Sequence, residues 1–437
     1  MMRVRAVTSL LISSVTFCNA FDDVYYYQSI ASDHVIKESI YKGWMIKLGY
    51  WEGFPKEVRE KLQEWGTVGK KVGSLFAIKP VAMKYDSPQS VAEIKPFIQE
   101  FNINRSEILK TIESFKSFNE FFYRQLKPGA RIVDARPGIL VAPADSKLRI
   151  LSGGIPGNPT KFYIKQQEFD LDSFLGLKAP NEKYITDPQK AANADLVIPY
   201  NNGLGYSDLW DLMVFRLAPT DYHRVHFPCD GRVTRIIDVK KDTTYGSVSP
   251  IAYRAGRWPI CENYRIILKI ETDKFGTMLM VIVGAAGTNT IKLTFGTEEQ
   301  RKNLRNARDL EERGIDASLS CYKGQETGYF AFGGSTICLL FKKNFVIFPK
   351  ILVQRSLFQD KRDEKKEPYE TAVKVGQGVG VWANEAPDGQ AVAEHLATQN
   401  YLDQLDPLFN LIRTPNKKSY FYVTDVSVPA AQSRPTL

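Results

Sequence analysis

The sequence lacks any long apolar run outside its first twenty residues. A helix that crosses a membrane needs about 20 mostly apolar residues, and no stretch after residue 20 approaches that length. The sequence therefore predicts no membrane-spanning helix in residues 21–437.

Cysteine is scarce, with five residues in a chain of 437. The four that follow residue 20 are Cys229, Cys261, Cys321 and Cys338, and none forms a C-x-x-C pair. Structural zinc sites usually contain such pairs, so we predict no metal site. Two outcomes stay open for these thiols: one or two disulfides if the chain is secreted, or buried free cysteines.

Histidine is equally rare, and the four residues are His34, His223, His226 and His395. Two of them fall within the four-residue window H-R-V-H. Histidines this close commonly serve acid–base chemistry or metal binding, although a purely structural pair is the alternative. Prolines and a glycine flank the window and predict a loop or a short strand.

The charge is positive but dispersed. The chain has 58 Lys and Arg against 49 Asp and Glu, a net charge of +9. This balance favours acidic partners. The aromatic signature of RNA-binding domains is missing, so we expect an anionic membrane surface or an anionic substrate and no nucleic acid.

Residues 1–20 have the layout of a secretory signal peptide. Arg3 and Arg5 precede an apolar stretch, and Cys18-Asn19-Ala20 resembles a cleavage site. This layout predicts a secreted protein or one of the secretory pathway, associated with a membrane. A mitochondrial presequence is the alternative, because the segment has no acidic residue and several serines.

Residues 21–116 are predicted to form a helical N-terminal region. Between residues 36 and 48, apolar side chains recur at steps of four with lysines between them. This pattern is typical of an amphipathic helix that contacts a membrane surface or packs on the core. A second apolar stripe covers residues 94–101, and Ser117 with Glu120 predicts a capping box that begins a further helix.

Short β-branched and apolar runs alternate with turn residues from about residue 131 onward. The runs at 263–272, 278–283 and 337–342 predict strands. We therefore predict an α+β fold, with a helical N-terminal layer and a mainly antiparallel β core. Residues 385–437 are interpreted as a C-terminal extension, partly disordered, with a helix near 391–404.

Gly333-Gly334-Ser335-Thr336 lies between two apolar runs. Two glycines allow strained backbone or a close approach of another group, and a serine follows at once. A β-bulge or a turn is the alternative interpretation. A phosphate-binding loop is disfavoured, because no Lys-Ser/Thr pair follows at the required spacing.

Several segments together resemble the phosphatidylserine decarboxylase family. The resemblance covers roughly residues 117–380 and implies a catalytic domain at 117–384. Only VGAAGTNTI at 283–291 fits loosely. The matching segments are SFNEFFYRQLKPGAR at 117–131, APADS at 142–146, LAPTDYHRVHFPCDG at 217–231, GYFAFGGST at 328–336 and VKVG at 373–376.

The resemblance implies that the chain cuts itself between Gly334 and Ser335. Asp145 orients His226, which takes the proton from Ser335 Oγ while this oxygen attacks the Gly334 carbonyl carbon. Elimination and hydrolysis then leave a covalent pyruvoyl group at residue 335. A β chain that ends at Gly334 and an α chain that begins at residue 335 stay associated.

The resemblance further implies phosphatidylserine as substrate, with phosphatidylethanolamine and CO2 as products. The pyruvoyl ketone forms an imine with the substrate amine and acts as the electron sink, as pyridoxal phosphate does elsewhere. His223 is expected to assist decarboxylation or to protonate the carbanion, and Tyr222 either positions substrate or packs in the core. Two alternatives remain: decarboxylation of a free amino acid such as tryptophan, and a non-catalytic lipid-binding protein.

Overall fold

The structure is a computed structural model, in which strands outnumber helices among the described residues. No helix in these parts of the chain is long and apolar enough to cross a bilayer. The predicted leader, residues 1–20, lies outside the described residues. The described residues are 25–37, 84–152, 161–164, 167–170, 174–176, 210–239, 259–284, 291–331, 335–342, 345–357, 369–384, 392–393, 396 and 421–422.

The described strands range from two to nine residues in length. In chain order they are β1 (Tyr25–Ser29), β2 (Ser32–Lys37), β3 (Ile132–Val133), β4 (Ile139–Val141), β5 (Ser146–Ser152), β6 (Lys161–Ile164), β7 (Gln167–Asp170), β8 (Trp210–Leu217), β9 (Arg224–His226), β10 (Gly231–Val239), β11 (Arg265–Thr272), β12 (Gly276–Val283), β13 (Ile291–Leu293), β14 (Leu319–Cys321), β15 (Glu326–Phe330), β16 (Ser335–Lys342), β17 (Val346–Ile347), β18 (Glu370–Val373), β19 (Gly378–Trp382) and β20 (Phe421–Tyr422).

The described α-helices are short, with at most eight residues each. They are α1 (Ile94–Glu100), α2 (Phe118–Phe122), α3 (Pro259–Glu262), α4 (Glu298–Arg305), α5 (Ala307–Glu311) and α6 (Lys350–Leu357). Three 3-10 turns accompany the first two helices, at Pro88–Glu93, Arg105–Glu107 and Ile112–Ser114.

Ten strands form the main sheet, in the order β14-β10-β11-β12-β16-β8-β5-β18-β1-β2. Neighbouring strands are antiparallel except β1 and β18, which are parallel. Two three-stranded sheets, β13-β15-β9 and β17-β19-β4, lie beside it. The prediction of an α+β fold with a mainly antiparallel core is confirmed.

The three apolar runs identified in the sequence became β11, β12 and β16 in the middle of the main sheet. Their alternate residues enter two separate hydrophobic clusters: Met280 packs in one and Val281 in the other. Because both faces of these strands are covered, each has consecutive apolar residues, at 266–268, 278–283 and 337–341, instead of strict alternation with polar residues. Burial of each large aliphatic side chain contributes about 1.5–3 kcal/mol.

The N-terminal region begins with a β-hairpin, which corrects one prediction. Residues 32–37 form β2, and Ile36 pairs with Tyr26 of β1. The helix predicted from residue 36 therefore does not begin there, because Val35, Ile36 and the tyrosines of β1 suit a pleated strand. Residues 38–83 lie outside the described part of the chain, so a helical N-terminal layer stays a prediction.

The segment before residue 124 agrees with its sequence pattern. The stripe at 94–101 supplies Ile94, Phe97 and Ile98 to an aromatic-rich cluster with α2. Ser117 caps α2, since its hydroxyl accepts the Glu120 backbone N–H at 3.1 Å. The Glu120 carboxylate accepts the backbone N–H of Lys116, one residue before the cap. This capped and packed helix fixes the position of the residues that follow it.

The cysteines at 229, 261, 321 and 338 are all buried and free. Of the two outcomes left open by the sequence, the structure therefore has the free thiols. Of the helix predicted near 391–404, residues 392, 393 and 396 are described and helical, and the rest lies outside the described residues.

Candidate active site

Ser335 lies at the point where the main sheet meets the histidine-containing loop. It is the first residue of β16, its side chain is fully buried, and it pairs with Leu217 at the end of β8. The loop that contains His223 therefore begins beside Ser335. On the other side, Phe330 at the end of β15 donates its backbone N–H to the His223 carbonyl at 2.9 Å. Gly334 lies outside the described residues.

The His223 ring is fully buried and has one nitrogen without a partner. Nδ1 lies 2.8 Å from the Asp221 carbonyl oxygen, so this nitrogen carries the proton and donates it. Nε2 is then a lone-pair acceptor, and it is buried without a hydrogen-bond partner. The ring packs against Phe122 with 3.9 Å between centroids. Burial lowers the pKa of His223 to about 3, so the ring is neutral near pH 7.

His226, in β9, has partners at both ring nitrogens. Nδ1 lies 2.9 Å from the Gly324 carbonyl oxygen and donates to it. Nε2 lies 3.2 Å from the Tyr222 hydroxyl and accepts its proton. Burial lowers the pKa of His226 to about 4, so it is also a neutral base near pH 7. The sequence left the part of Tyr222 open, and the structure puts its hydroxyl on the basic nitrogen of His226.

The carboxylate of Asp145, which the sequence predicted to orient His226, is bound by other groups among the described residues. This carboxylate accepts Arg131 Nε at 2.9 Å and Nη2 at 2.6 Å, Lys374 Nζ at 3.1 Å and the Val375 backbone N–H at 3.0 Å. Among the described residues no hydrogen bond joins it to His226. A buried carboxylate is stabilised best by bidentate arginine and other cations, and these occupy its oxygens.

The charge on Asp145 is secured by this arrangement. Burial alone would raise the pKa of Asp145, but the charges of Lys374 and Arg131 outweigh it and hold the pKa far below its usual value. The segment that contains Asp145 is linked to β9 through the backbone, since the His226 N–H donates to the Pro143 carbonyl at 2.8 Å. Four of the five segments of the sequence resemblance, all except 328–336, are thus joined at Asp145 or at its neighbour Pro143.

The loop with His223 is fastened by a second carboxylate. Asp221 accepts Lys147 Nζ at 2.7 and 2.9 Å and the Ala218 backbone N–H at 2.7 Å. Next to Ser335, the Thr336 hydroxyl is buried without a partner. Unpartnered buried polar atoms are rare and mark places where a reacting or bound group completes the bonding. The free Nε2 of His223 therefore leaves a buried hydrogen-bonding position open for a polar group.

The two buried histidines should make the protein sensitive to mild acid. Their folded pKa values, about 3 and about 4, lie below the value of about 6.5 in an unfolded chain. Below pH 6.5 the unfolded state binds more protons, so stability falls as the pH falls. Between pH 6.5 and 5 each histidine lowers the free energy of unfolding by on the order of 2 kcal/mol.

Thermal unfolding between pH 7.5 and 5 measures this effect. His223→Gln should reduce the pH dependence of Tm, whereas the same change at the exposed His34 should leave it as in the wild type. An unchanged slope in His223→Gln would contradict the neutral, buried state of this ring.

A buried serine that begins a strand beside the segment with two buried histidines provides the residue types that serine activation requires. Comparison with known proteins specifies the class. The family model for phosphatidylserine decarboxylase matches residues 118–380. This chain therefore belongs to the phosphatidylserine decarboxylase family.

Individual relatives agree with the family. A phosphatidylserine decarboxylase proenzyme of Fusobacterium nucleatum is 34% identical over 297 residues, which is 68% of this chain and 80% of that protein. The proenzyme of Clostridium tetani is 32% identical over 330 residues, 74% of this chain and 92% of the relative. Proenzyme 3 of Schizosaccharomyces pombe is 34% identical over 317 residues, but the match spans only 27% of its length.

Proposed function

We propose that this chain is the precursor of an enzyme that converts phosphatidylserine into phosphatidylethanolamine and CO2. The observation that carries the proposal is the fully buried Ser335, which begins β16 beside the end of β8 and the His223 loop. Its position lies inside the stretch matched by the family. A non-catalytic lipid-binding protein has no need for a serine and two neutral imidazoles in this arrangement.

In the proposed processing step, Ser335 Oγ attacks the Gly334 carbonyl carbon. The acyl group moves from the backbone nitrogen to the oxygen and forms an ester, while a base takes the hydroxyl proton. A base then removes the Cα proton of residue 335 as the bond between Cβ and Oγ breaks, so that Gly334 leaves as a carboxylate and dehydroalanine remains at 335. Addition of water to this residue releases ammonia and leaves the pyruvoyl ketone.

The two histidines divide the proton transfers in this proposal. His226 accepts the proton from Ser335 after the Tyr222 hydroxyl turns away from Nε2, which it occupies at 3.2 Å. The pyruvoyl group supplies an electron sink for the pair that CO2 leaves behind. During turnover, the free Nε2 of His223 takes a proton from water and passes it to the product carbon.

The two chains produced by cleavage stay together in this proposal because the main sheet joins them. β16 belongs to the α chain, and both of its neighbours, β12 and β8, belong to the β chain. β18 of the α chain also pairs with β5 of the β chain. Backbone hydrogen bonds at the centre of the main sheet thus hold the α and β chains together after cleavage.

We further propose that the enzyme acts at an anionic membrane surface after its leader, residues 1–20, directs it to the secretory pathway. Without Arg3 and Arg5 of the leader the net charge of +9 becomes +7, which still supports attraction to anionic lipid. Sequencing of the purified β chain decides between a start near Phe21 and the positions expected for a mitochondrial presequence.

Substrate assays test the proposed function directly. The purified protein is incubated with phosphatidylserine vesicles and, separately, with free tryptophan, and the released CO2 and the amine product are measured. We expect turnover with vesicles only. Turnover with tryptophan alone would favour the amino-acid decarboxylase, and lipid binding without CO2 release from either would favour the binding protein.

A further inference from the structure

Arg124 is a buried arginine whose guanidinium group is largely unsatisfied. Only 5% of the residue is exposed. Nη2 donates to the Thr220 carbonyl at 3.0 Å, but Nε and Nη1 are buried without a hydrogen-bond partner. A guanidinium presents these donors in a planar fork that matches carboxylate and phosphate oxygens. The free edge of Arg124 therefore has donors that a carboxylate or phosphate oxygen would satisfy.

No carboxylate neutralises this charge within the described residues. The acidic groups whose charges reach Arg124 are Asp145, Asp221 and Glu107, and Glu107 is paired with Arg131. Asp145 is already paired with Arg131 and Lys374, and Asp221 with Lys147. The Phe121 ring lies 5.1 Å from the guanidinium carbon and gives a cation–π contact. A buried cation without a directly paired carboxylate is still costly, and an anionic ligand would provide the missing counter-charge.

The loop of His223 places Arg124 at the candidate active site. The Thr220 carbonyl that accepts from Arg124 lies three residues before His223. The Phe122 ring, two residues before Arg124, packs against the His223 ring. Two groups with unpartnered buried nitrogens, Arg124 and His223, are thus held by one loop and one helix end. A single ligand that reaches both would satisfy them together.

The chemistry of the reaction selects among the anions of the substrate. Phosphatidylserine has a carboxylate and a phosphodiester, and the carboxylate must give up its charge as CO2 leaves. A guanidinium on that carboxylate would stabilise the substrate more than the transition state and slow the reaction. The phosphodiester keeps its charge throughout, so binding it positions the headgroup without opposing the chemistry.

We propose that Arg124 binds the phosphodiester of the substrate and selects phospholipid over a free amino acid. This inference rests on the proposed function and adds the group that recognises the headgroup. It assigns a binding part to a residue of the segment 117–131, for which the sequence predicted only a helix and its end.

The test compares two substrates that differ in the phosphate. Dihexanoylphosphatidylserine carries it, and O-hexylserine has the same amino acid and an alkyl chain but no phosphate. For Arg124→Met we expect kcat/KM to fall about a hundredfold with the phospholipid, as for loss of a charged hydrogen-bonding partner, and to stay at the wild-type value with O-hexylserine. Arg124→Lys should recover part of the loss, because it keeps the charge without the fork.

Stability provides an independent readout. A merely structural arginine would lower Tm when it is removed, whereas removal of an uncompensated buried charge should leave Tm of Arg124→Met equal to or above that of the wild type. The exposed Arg232 gives the matched control: Arg232→Met should not alter kcat/KM with either substrate. An equal loss on both substrates, or no loss with the phospholipid, overturns the proposal.

The wild-type enzyme keeps the proposal testable if the Arg124 variants are not processed. Dihexanoylphosphatidylmethanol, which has the phosphodiester but no amine or carboxylate, should inhibit turnover of the short-chain phospholipid competitively, and dihexanoylglycerol should not. Equal inhibition by both, or by neither, overturns the assignment of a phosphodiester site. Failure of the proposed function is seen separately, as absence of wild-type turnover with phosphatidylserine.

Discussion

Replacement of Ser335 by alanine is expected to leave a single uncut chain without decarboxylase activity. The hydroxyl is the only part of the residue that can attack the Gly334 carbonyl carbon, and its oxygen is the leaving group in the elimination that follows. Without it neither the ester nor the ketone can form. Intact mass under denaturing conditions measures cleavage directly, since the wild type should give a fragment of residues 335–437 and the variant should give none.

Ser356→Ala is the matched control for this experiment. Ser356 is also a buried serine of the C-terminal part, and its hydroxyl accepts the Ile150 backbone N–H at 2.9 Å. This variant should lose stability by about 1 kcal/mol and still be cut. A Ser335→Ala chain that is cut at the same place would refute the proposed nucleophile.

Replacement of His226 and of His223, one at a time, is expected to give two different defects. His226→Gln should leave the chain uncut, because the proton acceptor for Ser335 is lost. His223→Gln should be cut and then turn over about 10²–10⁴-fold more slowly, the range for loss of an acid–base group. Intact mass reports cleavage, and CO2 release per cut chain reports turnover.

The opposite pair of defects would also have a structural explanation, so the comparison decides which histidine is the base. Nε2 of His223 is free, whereas Nε2 of His226 accepts the Tyr222 hydroxyl. An uncut His223→Gln chain, together with a cut but slow His226→Gln chain, would assign the base of Ser335 to His223 and contradict the proposed division.

The strands at the centre of the sheet were predictable because their residues repeat a simple pattern. Consecutive apolar residues suit strands covered on both faces, as β11, β12 and β16 are. The start of α2 was equally predictable, since the side chain of a capping serine accepts a backbone N–H only three residues further along the chain. The helix predicted from residue 36 was wrong at its start, because steps of four in a few residues can also occur by chance in a strand.

The contacts within the site could not be predicted from the sequence. Resemblance singled out Asp145, His223, His226 and Ser335, but pairing of charges depends on positions that only the fold determines. Arg131 and Lys374 lie 243 residues apart in the chain, and both bind Asp145. The unsatisfied donors of Arg124 are likewise a property of its surroundings, and the residue type alone carries no sign of them.

The central position of β16 determines when the chain can be cut. If residue 335 becomes a chain end, the two hydrogen-bonded neighbours of its strand belong to the other polypeptide. The uncut chain finds its native pairing within one molecule, whereas the halves, once unfolded, must find each other in solution. Folding must therefore precede scission, and the mature enzyme should recover from denaturant poorly on dilution, while the uncut Ser335→Ala chain recovers at any concentration.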